Sequence, residues 1–210
     1  MAVIRPATAA DLCPIAELHQ RAFRGFFLTQ LGRPFLLRYY RAVLAYPAGI
    51  LLLAEDARSV VGFVVGFCEP GLFYRSLRRR ALSLGFSMAP ALLRSPCLLH
   101  RAVANFRRTG EAGPHDDTQL AELSSLAVDP AAEGRGIGRA LVKEFVAVAA
   151  TNGAKSVYLT TDALENDAVN RFYLRLGFEV RRTFEATPGR LMNELRLQLR
   201  PPRPECVKNS

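Results

Sequence analysis

A glycine-rich turn between a strand pattern and a helix pattern is the segment of this sequence best suited to chemistry. Three glycines alternate with other residues, at Gly134, Gly136 and Gly138, while Arg135 and Arg139 add positive charge. Glycine lets the backbone approach an anion closely, and the first amides of the following helix have no partner within that helix. The spacing therefore predicts a cradle of amide groups for a phosphate or a diphosphate.

Two common phosphate motifs do not fit this turn. A dinucleotide-binding turn needs Gly or Ala at its sixth place, which Arg139 or Leu141 occupies here, and residues 129–133 separate the strand from the first glycine. A nucleotide P-loop needs Gly-Lys followed by Ser or Thr, and no such sequence follows these glycines. The remaining alternative is a strand-to-helix connection that binds no ligand.

A second segment downstream extends the pattern. Residues 165–180 read ENDAVNRFYLRLGFEV and follow a strand pattern at residues 156–161. Together the two segments resemble the GNAT superfamily of N-acetyltransferases, and residues 119–184 match best. The first family motif falls on Glu133, Gly134, Arg135, Gly136, Ile137 and Gly138. The second falls on Asn166, Asn170, Phe172, Tyr173, Leu176, Gly177 and Phe178.

The resemblance implies both a fold and a cofactor. The fold would be α/β (α+β), with a mixed, mostly antiparallel sheet that is splayed between strands 4 and 5 and flanked by helices. The cofactor would be acetyl-coenzyme A, with no metal. Beyond the first motif, cofactor contacts are expected from Leu126, Ala127, Val128, Arg139, Asn166, Asn170 and Tyr173. Glu133 stands where the family usually has Gln or Arg, and Val169 replaces the commoner alanine, but neither change removes a cradle built from backbone amides.

Acetyl transfer to an amine needs a base for the ammonium proton and an acid for the departing thiolate. Glu122 is the candidate base, because it lies eleven residues before Glu133, where similar histone-type members carry their glutamate. Tyr173 is the candidate acid, since a phenol stays protonated at neutral pH. Ser124 would position a water if Glu122 is not the base. The alternatives are an exposed strand glutamate and a core aromatic residue.

Strand alternation adds an expectation about the direction of these side chains. Alternation predicts that four side chains lie on one face of the fourth strand: Glu122, Ser124, Leu126 and Val128.

The remaining elements follow from hydrophobic periodicity and turn residues. The predicted order is β, α, α, β, β, an insertion, then β, α, β, α, β, β. Asp11 is expected to cap the first helix. The other predicted elements are a first strand at residues 2–6, a second helix at 32–46, a hairpin at 50–55 and 60–67, and closing strands at 179–185 and 191–199.

Composition and length favour one cytoplasmic domain. The chain has 210 residues, of which 50% are hydrophobic, and we expect one domain over residues 1–200 with a frayed tail at 201–210. The first residues lack a signal-peptide pattern, and no uncharged apolar run reaches the roughly 18 residues that a membrane span needs. The four cysteines are scattered and are expected to be reduced.

Residues 70–118 form a predicted helical, arginine-rich insertion. Between residues 72 and 108 there are eight arginines and no Asp, Glu or Lys, while the whole chain has a net charge of +9. An anionic acceptor such as a nucleotide-linked amino sugar, an acidic membrane surface, a partner protein, or a simple cap over the core would each explain this charge. Nucleic acid is disfavoured, because aromatic residues are sparse and no base-reading motif is present.

These observations lead to one expected function and two alternatives. We expect an enzyme that transfers an acetyl group directly from acetyl-coenzyme A to a primary amine, most simply that of a small molecule. The alternatives are a protein N-acetyltransferase, and a non-catalytic coenzyme A-binding module that docks on a membrane or partner through residues 72–108. Asp116 and Asp117 could receive an ammonium group or form a solvated turn. The oligomeric state stays open.

Overall fold

A computed structural model describes residues 2–57, 59–79 and 119–199. The predicted insertion beyond Arg79 and the predicted tail at 201–210 lie outside these ranges. The strands are β1 (Val3–Pro6), β2 (Gly49–Asp56), β3 (Ser59–Cys68), β4 (Leu120–Val128), β5 (Ser156–Asp162), β6 (Glu179–Thr187) and β7 (Arg190–Gln198). The helices are α1 (Leu12–Ala22), α2 (Phe27–Gln30), α3 (Arg33–Leu44), α4 (Pro70–Arg79), α5 (Ile137–Thr151) and α6 (Asp167–Arg175).

The strands form one mixed sheet in the order β1-β2-β3-β4-β5-β7-β6. All neighbouring pairs are antiparallel except β4 and β5, which run parallel. The parallel pair requires a crossover, which α5 supplies because it follows β4 and precedes β5. This arrangement confirms the predicted α/β fold with a mostly antiparallel sheet.

Helices cover both faces of the first half of the sheet, so the buried stretches of β2 and β3, residues 50–54 and 62–68, are apolar. Along β2, Leu51 and Leu53 face the cluster under α1 and α3, whereas Ile50 and Leu52 face the opposite cluster under α5. A strand buried on both faces is expected to show such a continuous apolar run.

Helices α1, α3, α4 and α5 each contribute an apolar stripe at helical spacing. The first cluster contains Ile15, Leu18, Leu36, Tyr40, Phe73 and Leu77, from α1, α3 and α4. The second contains Leu141, Phe145 and Ala149 from α5 and Tyr173 from α6. No helix in the described ranges is both long and apolar enough to cross a membrane.

The structure corrects the expected role of Asp11. It stands before α1, but its carboxylate makes no cap bond to that helix. It instead accepts hydrogen bonds from the Thr8 amide at 2.7 Å and from two nitrogens of Arg5 at 2.8 and 2.9 Å. The guanidinium outcompetes the helix amides as a partner because it offers two charged donors. It also holds the pKa of Asp11 well below its usual range.

The elements on either side of the glycine turn are longer than the sequence pattern predicts. The pattern predicts a strand over residues 123–128 and a helix over residues 140–150, whereas β4 begins at Leu120 and α5 begins at Ile137. The short helix α2 was not predicted, because its four residues contribute no buried side chain to a periodic pattern.

His19 is a buried histidine in the first cluster. Its Nδ1 lies 2.6 Å from the Tyr40 hydroxyl, and its Nε2 has no hydrogen-bond partner in the described structure. Burial lowers the pKa of His19 from 6.5 to about 4, because the charged ring would lose its hydration. In the unfolded chain the same ring takes up a proton near its ordinary pKa.

Acid should therefore destabilise the protein through His19. As the pH falls from 7 to 5, the unfolded state binds a proton that the folded state excludes, so the free energy of unfolding should drop by about 2 kcal/mol through this residue. Urea denaturation at both pH values would measure the drop. In His19→Gln, which cannot titrate, the drop should be smaller by that amount, and an equal drop in both proteins would contradict the assignment.

Candidate active site

Strands β4 and β5 form a fork in the middle of the sheet. They pair at only three positions, Leu120 with Ser156, Ala121 with Val157, and Glu122 with Tyr158. Beyond Glu122 the two strands separate, while β4 stays paired with β3 as far as Val128. In the part of the chain that the structure describes, one edge of β4 therefore presents backbone groups without a strand partner, as the predicted splay requires.

A β-bulge lies next to the vertex of this fork. Val65 pairs with Ser125 and Gly66 pairs with Leu123, so Ser124 is the extra residue on β4. A bulge inserts one residue and reverses the direction of every side chain beyond it. The predicted common face of four residues is therefore wrong. Leu126 and Val128 pack with the cluster under α5, on the face opposite Glu122 and Ser124.

Two phenols hold the carboxylate of Glu122. The Tyr74 hydroxyl, from α4, donates to Oε1 at 2.8 Å, and the Tyr158 hydroxyl, from β5, donates to Oε2 at 2.5 Å. Burial, followed by the negative charge of Glu122, raises the pKa of Tyr74 well above its ordinary value. Tyr74 is therefore a neutral donor at physiological pH.

Ser124 has a third tyrosine as its partner. Its Oγ lies 2.9 Å from the hydroxyl of Tyr39, which comes from α3. Burial raises the pKa of Tyr39, so this phenol is neutral as well. Glu122 and Ser124 are both half-buried, and a small molecule or water could therefore reach them.

The glycine turn has the backbone shape that the sequence predicted. Gly134 and Gly136 have φ values of 75° and 76°, in the left-handed region that favours glycine. Gly136 immediately precedes α5. Its carbonyl oxygen accepts the first hydrogen bond of the helix, from the Ala140 amide at 3.0 Å. The amides of residues 137–139 thus stand at an open helix N-terminus. A Cβ added at Gly134 or Gly136 would meet no atom within 4 Å, so the space in front is free for an anion.

The two arginines of the turn differ in their surroundings. Arg135 forms an ion pair with Asp56 at 2.6 Å, which ties the turn to the β2–β3 hairpin and lowers the pKa of Asp56. A phosphate would have to share Arg135 with that carboxylate. Arg139 instead lines an open groove of about 370 Å³ together with Lys143 and Arg175. Glu133 is exposed just before the turn.

Tyr173 lies on the other side of the sheet from Glu122. It is 6% exposed and packs edge-on against Phe172 and Phe178. Burial raises its pKa, which keeps the phenol protonated. Its hydroxyl has no hydrogen-bond partner among the described residues.

Asn166 and Asn170 contact the end of β5. The side-chain Nδ2 of Asn170 donates to the Asp162 carbonyl oxygen at 3.1 Å, and its Oδ1 accepts from the Thr161 hydroxyl at 2.6 Å. Asn166 donates to the same carbonyl at 3.4 Å. These contacts fix α6 to the end of β5, the strand that diverges from β4.

Sequence reasoning missed the three tyrosines. Tyr158 lies between the buried Val157 and Leu159, so strand alternation predicts that its side chain points to the opposite face of the sheet. Which residue it meets on that face depends on the register between β4 and β5, which the sequence does not give. Tyr74 lies in the arginine-rich segment, and its sequence position gives no sign of a contact with Glu122. Asp116, Asp117 and five of the eight arginines lie outside the described residues. Within the described ranges, no group of three His, Cys, Asp or Glu side chains could hold a metal ion.

The fork, the glycine turn and the sheet order are typical of the GNAT fold, and comparison with known proteins agrees. The family model described as Acetyltransferase (GNAT) family matches residues 13–178, so the chain belongs to this family.

Individual relatives match shorter stretches. An uncharacterized N-acetyltransferase of Methanocaldococcus jannaschii is 41% identical over 61 residues, which are 29% of this chain and 26% of that protein. Mycothiol acetyltransferase of Gordonia bronchialis is 42% identical over 62 residues, which are 30% of this chain and 20% of that protein. The matched part is thus about a quarter or less of each relative's length.

A solved structure shows the same fold over nearly the whole chain. The acetyltransferase yncA of Salmonella typhimurium, solved with its cofactor acetyl-CoA, superposes with a TM-score of 0.60 at 19% identity and covers 95% of both chains.

The open glycine turn leads to a direct test of anion binding. Gly136→Glu should weaken acetyl-coenzyme A binding at least a hundredfold in calorimetry, because it puts bulk and negative charge where a diphosphate would meet the amides. Gly153→Glu is the matched control, since Gly153 also has a left-handed φ, of 87°, and open space around it. Both variants carry the same backbone strain, so equal loss of affinity would refute the predicted cradle.

Proposed function

We propose that this protein transfers an acetyl group from acetyl-coenzyme A to a primary amine, most simply that of a small molecule. The observation that carries the proposal is the fork, with a carboxylate at its vertex and an open helix N-terminus following the same strand. A thioester lying in the fork would face Glu122 from one side of the sheet and Tyr173 from the other.

The residues around the fork fit the cofactor. The amides of the glycine turn would hold the diphosphate, with Arg139 adding charge. The unpaired edge of β4 at Leu126, Ala127 and Val128 would bind the amides of pantetheine as an added strand does. When bound, acetyl-coenzyme A would supply an activated acetyl thioester, with coenzyme A as the leaving thiol.

Glu122 would act as the base. An amine arrives as an ammonium ion, which a carboxylate attracts and from which a proton must be removed before attack. Each oxygen of Glu122 already accepts one phenol hydrogen bond, and a carboxylate oxygen can accept a second. Ser124, fixed by Tyr39, would hold a water if the proton moves through one.

Tyr173 would act as the acid. Its phenol is protonated at neutral pH and can therefore donate a hydrogen bond or its proton to a thiolate that develops nearby. Its ring is fixed by two aromatic neighbours, which supports a defined hydroxyl position.

The charge of α4 favours an anionic acceptor. Arg75, Arg78 and Arg79 are exposed on the helix that also places Tyr74 on Glu122. Positive charge near the base would attract an amine that carries a phosphate or carboxylate elsewhere in the molecule. The relationship to a mycothiol acetyltransferase is consistent with a small-molecule acceptor. Release of free thiol from acetyl-coenzyme A with a panel of anionic and neutral amines would test this, and no release with any amine would favour a coenzyme A-binding module.

Substitution of the two proposed catalytic groups should reduce turnover more than binding. Glu122→Gln keeps the shape but removes the base, and Tyr173→Phe keeps the ring but removes the acid. Each should lower kcat by about tenfold to a few hundredfold, with the Glu122→Gln defect easing at high pH as free amine accumulates. Steady-state kinetics would measure this. Glu144→Gln, at an exposed residue, serves as the control. Wild-type turnover in Glu122→Gln or in Tyr173→Phe would contradict the role proposed for that residue.

The arginines of α4 should act on the acceptor. Replacing Arg75, Arg78 and Arg79 by Gln should raise the acceptor KM several-fold, weaken the salt dependence of kcat/KM and leave acetyl-coenzyme A affinity unchanged.

A matched control for this variant removes the same charge elsewhere, at the exposed Arg24, Arg38 and Arg41. If both triple variants change the KM equally, only net charge matters. If the α4 variant loses binding to anionic liposomes with normal kinetics, the membrane alternative is correct instead.

A further inference from the structure

We propose that Tyr74 and Tyr158 are positioning residues that fix the direction of the Glu122 carboxylate and hold it in its ionised form. The inference rests on the proposed function, because it concerns the base of that reaction. It assigns a role to two residues that neither family motif contains.

The geometry shows a clamp on both oxygens. Tyr74 donates to Oε1 and Tyr158 donates to Oε2, and the two phenols come from different elements, α4 and β5. With each oxygen bonded to a separate donor, rotation of the carboxylate would break at least one hydrogen bond. The remaining lone pairs then point in a fixed direction, which a base requires.

Each phenol is itself held in place. Tyr158 belongs to the last residue pair between β4 and β5, so its backbone is fixed relative to that of Glu122. The ring of Tyr74 packs edge-on against Phe67 at 5.3 Å and Phe73 at 5.5 Å. Positioning by a strand and by an aromatic cluster leaves little freedom to either hydroxyl.

Hydrogen bonds to a carboxylate stabilise its charged form, so the two phenols should lower the pKa of Glu122 relative to the same site without them. Within residues 2–57, 59–79 and 119–199, the titratable groups near Glu122 include Tyr39 from α3, Tyr74 from α4 and Tyr158 from β5. Arg196 of β7 lies one strand further, paired in register with Tyr158. The phenols are donors without charge, so removing one changes hydrogen bonding and not the net charge of the site.

The clamp also connects the base to the arginine-rich segment. Tyr74 and Arg75 are adjacent on α4, the helix at the start of that segment. An acceptor bound by the arginines of α4 would therefore contact the helix that orients the base. Acceptor recognition and base alignment would share one element.

The experiment uses Tyr74→Phe, Tyr158→Phe and the double variant, with Tyr46→Phe as the control. Tyr46 also packs on Phe73, but its hydroxyl donates to the Glu69 carbonyl and not to Glu122. In full-length protein with ¹³C-labelled glutamate carboxyl groups, the Glu122 signal is identified by its absence in Glu122→Gln. Its titration midpoint should rise by about one pH unit in the double variant and by less in each single variant. Tyr46→Phe should leave it unchanged.

Kinetics supply the second readout. The acid limb of the kcat/KM profile with acetyl-coenzyme A and an active amine should move to higher pH by the same amount, with most activity recovered above the new midpoint. A merely structural role would lower activity equally at every pH and leave the midpoint where it was. If both single variants fold and the titration midpoint of Glu122 is unchanged in both, the proposed clamp is refuted. A shifted midpoint in a protein that releases no thiol with any amine would leave the clamp standing and refute the proposed function.

Discussion

The early loss of pairing between β4 and β5 is the constraint on which the site depends. Three residue pairs join the two halves of the sheet, after which β4 continues with β3 while β5 continues with β7 over all seven of its residues. Backbone groups on the inner edges of the fork must then find other hydrogen-bond partners, since a buried amide or carbonyl without a partner costs free energy. A ligand with its own amides is a natural partner. The fork therefore creates a binding site from backbone alone, before any side chain is considered.

Packing on both sides keeps this fork open. On β3, Gly66 allows the bulge, because a Cβ there would collide with the Glu122 carbonyl oxygen and the ring of Phe145. Helix α5 can consequently lie close to the sheet beneath the vertex. On the other arm, Asn170 ties α6 to the end of β5 through Thr161 and the Asp162 carbonyl. Each arm is thus held by its own helix and not by the opposite strand.

The features that the sequence could predict are those that depend on local physics. The glycine turn was predictable because positive φ and close backbone approach need glycine at those positions, whatever the rest of the chain does. The strands and the long helices were predictable from the spacing of apolar residues along the chain. The face of Leu126 and Val128 did not, because alternation assumes unbroken pairing and the bulge at Ser124 depends on a neighbouring strand. The partners of Arg135 and Glu122 were equally hidden, since Asp56, Tyr74 and Tyr158 are distant in sequence.

The protein holds its carboxylates in two ways, and the difference bears on catalysis. Asp11 is bonded by the guanidinium of Arg5, and the pKa of Asp11 falls well below its usual range. Such a group is ionised at every physiological pH and serves to fix structure. Phenols donate to Glu122, and a phenol brings no charge of its own to oppose the approach of an ammonium group. If the carboxylate takes up a proton, the phenols remain neutral and no unpaired buried charge is left behind. A clamp of phenols can therefore orient Glu122 and still allow its charge to change, as the proposed base must do in each catalytic cycle.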